Sequence, residues 1–248
     1  MSTFSLISIV LILSITLISG SYPFFKKMVT GGEQNFPISE SLAAGVFLGA
    51  SLIHMLGNAS HAFYQASFHY PLAFLLAGIM FLFLLLLEHI GREIVLHNGS
   101  SNAFAILATL MLSIHAFLMG AALGLSASLS VAIVILLAIV AHKWAESFAL
   151  AIQINKSAFS NKINIILFLV FSMMTPLGIL LGVSAATALN FHPLLAPLFS
   201  SLAAGTFLYL GTLHGLEKAT LIKQCCDLKR FFFVILGFSI MAVVAIFT

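Results

Sequence analysis

Ser41-Leu42-Ala43-Ala44-Gly45-Val46-Phe47-Leu48 returns, 160 positions later, as Ser201-Leu202-Ala203-Ala204-Gly205-Thr206-Phe207-Leu208. The same offset aligns His54 with His214 and Leu56 with Leu216. Both copies lie in apolar windows of bilayer-crossing length, about 20 residues. Such windows can be drawn at 3–25, 39–63, 71–95, 102–125, 129–154, 163–189, 196–221 and 231–248. The chain is 61% hydrophobic and 7% charged, whereas a soluble domain carries about 25% charged residues. With so few charges it cannot cover a water-facing surface. No alternating ten-residue pattern suggests a barrel, so the expected fold class is an all-α polytopic membrane protein with eight transmembrane helices, residues 1–248 forming one transmembrane domain.

The basic residues test the number of spans. Lys26 and Lys27 fall in the first connection, Arg92 at the third, Lys156 and Lys162 in the fifth, and Lys218, Lys223, Lys229 and Arg230 around the seventh. The second, fourth and sixth connections hold no Lys or Arg. Positive charge concentrates on the cytoplasmic side, so odd connections are expected in the cytoplasm and both termini outside. The first window lacks the basic flank of a cleaved leader and is kept as a span. On this topology span two runs outward and span seven inward. The repeated segments are then antiparallel, the trace of an inverted repeat with spans 1–3 and 6–8 arranged around spans 4–5, as in many secondary transporters.

A formal charge of +3 sitting in loops gives no support to nucleic-acid binding. The adjacent Cys225 and Cys226 indicate no redox compartment, since neighbouring cysteines rarely bridge. Gly45/Gly49, Gly120/Gly124, Gly178/Gly182 and Gly211/Gly215 are small-xxx-small pairs of the kind that let helix backbones approach closely. Pro176 is a kink candidate in span six.

One basic residue, Lys143, falls mid-span, in Ala141-His142-Lys143-Trp144-Ala145-Glu146-Ser147. A charge at bilayer depth costs roughly 2.5 kcal/mol or more and needs a partner or a water-lined cavity. His142 and Glu146, four apart, share a helix face, as do His115 and Met119 in span four. Two such helices facing one another would bring imidazole, thioether, imidazole and carboxylate around one cation. Neutral imidazole suits zinc and other late first-row metals, and thioether shifts the preference softer. The alternative at this point is structural: His115 and His142 hydrogen-bonded across the helix pair, with Glu146 neutralising Lys143.

At these residues the chain resembles the ZIP (Zrt/Irt-like) family of divalent-metal transporters, and its runs at Gly45–Leu48 and Ala203–Tyr209 resemble the animal and fungal branch. The likeness extends over nearly the whole chain. It departs from the family pattern at three places: Met119 stands where the span-four Glu is usual, Thr175 where a carboxylate often precedes Pro-Leu-Gly, and His214 where span seven carries Glu. Lys143 occupies the position that supplies a second-metal carboxylate in two-metal members, which implies a mononuclear site here.

The resemblance implies elevator-like or rocking transport of zinc into the cytoplasm. The expected metal ligands are His115, Met119, His142 and Glu146. The expected path runs from His54, Asn58 and His61 past Lys143 and Thr175 to His214 and Glu217. The partners expected are the metal ion as substrate, the lipid bilayer and a second copy of the chain as a homodimer, with no nucleic acid and no prosthetic group. The expected location is a plasma or bacterial inner membrane. Copper(I) or iron transport, and a binding-only or sensing role with a degraded site, remain alternatives. An enzyme is not expected, because the His-Glu-x-x-His arrangement of metalloproteases does not occur.

Overall fold

The structure is a computed structural model and describes residues 3–25, 37–98, 102–126, 128–188, 194–213 and 228–246. Among these the chain is helical, with no strand. Its helices are α1 (Thr3–Phe25), α2 (Pro37–Gly49), α3 (Leu56–Gln65), α4 (Leu72–Asn98), α5 (Ala103–Gly124), α6 (Leu129–Asn155), α7 (Asn161–Ala188), α8 (Leu195–Tyr209) and α9 (Leu228–Val244). A π-helical turn, Ala50–Met55, joins α2 to α3 without a break. A second π turn, at 210–213, continues α8.

Seven of these rods are long and apolar enough to cross a membrane: α1, α2 with its π turn and α3, α4, α5, α6, α7 and α8. The chain is therefore a polytopic all-α membrane protein. α9, with 17 described residues, is shorter than those seven. The expected windows and the helices agree closely. One difference is that α4 runs on to Asn98, three residues past the expected window. Another is that α7 continues through Pro176 as a single helix.

Bilayer-length helices must satisfy their own polar groups, and the serines and threonines show how. Thr16 donates to the Ile12 carbonyl, Ser172 to Phe168 and Ser147 to Lys143, each one turn back. The start of α6 is capped by Ser128, whose hydroxyl accepts the Val131 N–H.

The helices sort into two packed groups. α1, α5, α6 and α7 form one, and α2–α3, α4, α8 and α9 the other, with α5 lying against α8 across the boundary. Glycines set the closest crossings. A Cβ at Gly120 would overlap the Thr175 carbonyl, and one at Gly178 the Phe117 carbonyl, so α5 and α7 touch backbone to backbone in both directions. Gly45 meets the Val234 carbonyl of α9, and Gly205, its counterpart in the repeat, meets the Ala77 carbonyl of α4. Only a residue without a side chain permits these approaches. Their result is to hold the middle of α5 beside α6 and under α8, where the polar side chains collect.

Candidate metal centre

His115 comes from the middle of α5, and His142, Lys143 and Glu146 from α6. All four are at most 1% exposed. His115, His142 and Glu146 each offer a ligand atom, and these atoms lie within 4.8 Å of one another. Zinc bound at about 2.0–2.1 Å places tetrahedral ligands about 3.3 Å apart, so the three groups need to close by at most about 1.5 Å.

Each of the three is held by one edge and open at another. His115 Nδ1 lies 2.6 Å from Thr206 Oγ1 and 3.1 Å from the Ala203 carbonyl, both on α8. Its ring stacks on Phe207, with centroids 3.6 Å apart and planes inclined by 14°. His142 presents its ring in a T-shaped contact to His115 at 5.8 Å and to Phe207 at 4.9 Å. Lys143 Nζ donates to Glu146 Oε2 at 2.9 Å and to Thr175 Oγ1 at 3.1 Å, and sits 4.6 Å from the centre of the Phe171 ring. His115 Nε2, His142 Nδ1 and Glu146 Oε1 are left over: each is buried and without a hydrogen-bond partner. Buried polar atoms are nearly always paired, and three orphans on three clustered side chains, two imidazoles and a carboxylate, make a group that could hold a metal ion.

The expected residues divide as follows. His115, His142 and Glu146 come together, and Lys143 and Thr175 form the adjoining ion-pair shell. Met119 is buried one turn beyond His115 on α5. The structural alternative is half present: Glu146 does pair with Lys143, but the two histidines meet as rings, not through a hydrogen bond. His54 is buried within the first π turn, 3.4 Å from Asn58 Nδ2, while Asn58 and His61 are exposed on α3. His214 and Glu217 lie outside the described residues.

Thr206, Phe207 and Phe171 were not anticipated as part of the site. Phe171 and the α8 residues come from other helices, 91 positions away in the case of Thr206, so no local spacing announces them. One signal was available: Val46/Thr206 is the single mismatch within the repeated octapeptide.

The chain is a polytopic helical membrane protein whose buried His/His/Glu cluster has the donor chemistry that suits a transition-metal ion. The comparisons narrow this. The model of the ZIP zinc transporter family matches residues 92–245, more than half the chain, and the chain belongs to that family. It is 34% identical to protein zntD of Dictyostelium discoideum over 64% of this chain and 24% of that protein. It is 26% identical to zinc transporter ZIP2 of Mus musculus over 82% of this chain and 83% of that one. It is 36% identical to zinc transporter ZIP1 of Takifugu rubripes over 54% and 44%. The match thus spans about a quarter of zntD and less than half of the fish protein, but most of mouse ZIP2.

Proposed function

We propose that the chain carries divalent transition-metal ions, zinc foremost, into the cytoplasm through a mononuclear site between α5 and α6. The observation that carries this reading is the set of three partnerless buried atoms, His115 Nε2, His142 Nδ1 and Glu146 Oε1. Family membership and relatives named as zinc transporters support the choice of metal. Three protein ligands leave a fourth position open, which suits an ion in transit better than a permanent structural one. Met119 follows His115 by four residues on α5, and in this reading its thioether completes the set.

Lys143 gives the site its stoichiometry and weakens its grip. Its ammonium stands beside Glu146 where a second cation would need to be, so one ion binds. Because the ion pair is already neutral, the arriving metal brings its whole charge into a buried place. That favours rapid release, and it also favours the second reading, copper(I), whose single charge is the easier to accommodate and whose affinity for thioether is greater.

The route enters at His61 and Asn58, reaches buried His54, passes the central ligands with Lys143 and Thr175 beside them, and leaves by His214 and Glu217. The architecture is eight spans within one transporter domain, with α9 as the last span and both termini outside. Its halves, spans 1–3 and 6–8, form the inverted repeat. Three features support the repeat. Gly45 and Gly205 receive a neighbouring backbone in the same manner. Phe47 and Phe207, equivalent by the offset, stack on each other at 4.6 Å. α5 packs on α7 as α6 packs on α1, and α2 on α9 as α8 on α4. Movement of one helix group past the other exposes the site to each side in turn. The membrane is a plasma or bacterial inner membrane, and two copies associate as a homodimer.

The test is flux into liposomes. Purified protein is reconstituted, and uptake of zinc, copper(I), iron(II) and manganese is compared for wild type and Glu146→Gln. Zinc uptake that the variant lacks is the expected result. Undiminished zinc uptake by the variant refutes the central site, metal binding without flux indicates a sensor, and copper(I) flux exceeding zinc selects the second reading.

A further inference from the structure

We propose that Thr206 is a positioning residue for the metal site, fixing His115 in the one tautomer and ring orientation that turns the Nε2 lone pair toward Glu146 and His142. The inference rests on the central-site reading and adds to it a residue that touches no metal.

It follows from counting hydrogens. A threonine hydroxyl has one proton and two lone pairs. The Thr206 proton goes to the Ala203 carbonyl at 2.6 Å. Towards His115 Nδ1, also at 2.6 Å, the hydroxyl can therefore only accept. The second neighbour of Nδ1 is the Ala203 carbonyl, again an acceptor. Both contacts demand a proton on Nδ1. Neutral imidazole carries one N–H, so Nε2 holds the lone pair, and Nε2 is the buried atom without a partner. Phe207, stacked on the ring one residue further along α8, removes the remaining freedom of rotation.

His142 is not treated in the same way. Its Nδ1 has no partner, and the position equivalent to Thr206 in the other half of the repeat is Val46, which has no hydroxyl. The repeated octapeptide differs at one position, and there one copy has a group able to orient an imidazole while the other has none. The site therefore pairs a histidine held by a hydroxyl of α8 with one that has no hydroxyl partner.

The experiment uses the full chain in detergent micelles with 15N-labelled histidine, comparing wild type, Thr206→Val and Thr206→Ser. Valine keeps the volume but sets a methyl where Nδ1–H now meets oxygen, and such a contact needs about 3.5 Å. The wild-type His115 signal is expected to show a single Nδ1–H tautomer with a slowly exchanging proton. In Thr206→Val the tautomers mix, the proton exchanges quickly, and zinc affinity measured by calorimetry falls about 10- to 100-fold, as it does when partners of ligating histidines are removed. Thr206→Ser restores both. A valine variant that keeps the wild-type His115 signal, or that changes it without losing affinity, overturns the proposal. The central-site reading has its own control: unchanged zinc affinity in His115→Ala sinks that reading, whatever the tautomer in the Thr206 series.

Discussion

Glu88 and Glu146 are both buried carboxylates on membrane-length helices, 5% and 1% exposed, and each has a basic partner on its own helix. They differ in what remains after the partners are counted. Glu88 Oε1 accepts from both Nε and Nη2 of Arg92, and Oε2 accepts the Tyr209 hydroxyl from α8. Neither oxygen is without a partner. Glu146 gives Oε2 to Lys143 and keeps Oε1 without a partner. A carboxylate with both oxygens paired fastens α4 to α8, whereas one with an unpaired oxygen is able to take the cation of the proposed site. Burial and charge alone do not separate these two roles. The unused oxygen does.

The contrast can be broken most severely at Glu146. Glu146→Ala is expected to reduce metal uptake in liposomes to background. It also strands Lys143, and losing one partner of a buried pair costs roughly 3–5 kcal/mol, visible as a large drop in the thermal midpoint in detergent. Glu146→Gln, which leaves an acceptor for Lys143, loses uptake with a much smaller drop. Glu88→Gln should behave in the opposite sense: stability falls by about 1.5–3 kcal/mol as charged hydrogen bonds become neutral, while zinc affinity stays within twofold of wild type. A large loss of zinc affinity there would erase the distinction between the two carboxylates.

Lys143→Asp sharpens it from the other side. Replacing the ammonium with a carboxylate should raise the zinc bound per chain from one ion to two, counted by elemental analysis after dialysis. An unchanged stoichiometry would mean that Lys143 does not stand in for a cation. The smallest effect is expected at Arg92→Ala. The Arg92 side chain is 56% exposed, its pair with Glu88 is largely screened, and about 0–1 kcal/mol should be lost, with no change in zinc binding.

Much of the fold is legible in the sequence, because lipid leaves the helix as the obvious way to satisfy a backbone and so turns hydropathy directly into element boundaries. The windows 3–25 and 129–154 match α1 and α6 to within a residue. The site is legible only where it is local. The i/i+4 spacing places His142 and Glu146 on one face, and Glu146 lies three residues from Lys143, close enough to pair with it. What α8 contributes is not local. Thr206 and Phe207 reach His115 only because α5 and α8 pack together, and packing between distant helices leaves no periodic mark. The same holds for Thr175, anticipated as a path residue, whose hydroxyl accepts from Lys143 across the α6–α7 contact. The π turns were also invisible, since an extra residue in an apolar run changes no hydropathy average.

Those turns have a consequence for how the helices keep phase. One additional residue rotates everything downstream by about 100° relative to an unbroken α-helix. A wheel drawn through 41–48 therefore cannot be continued through 56–65, and the face that carries Asn58 and His61 is set by the slip at Ala50–Met55 as much as by the residues themselves. The offset of 160 nevertheless runs without a gap from Ser41/Ser201 to His54/His214, and the second slip begins at 210, where the first begins at 50. Both strings thus lose step at the same beat. In the repeat reading the syncopation belongs to the ancestral unit, so deleting one residue from either turn would put that helix out of time with its twin.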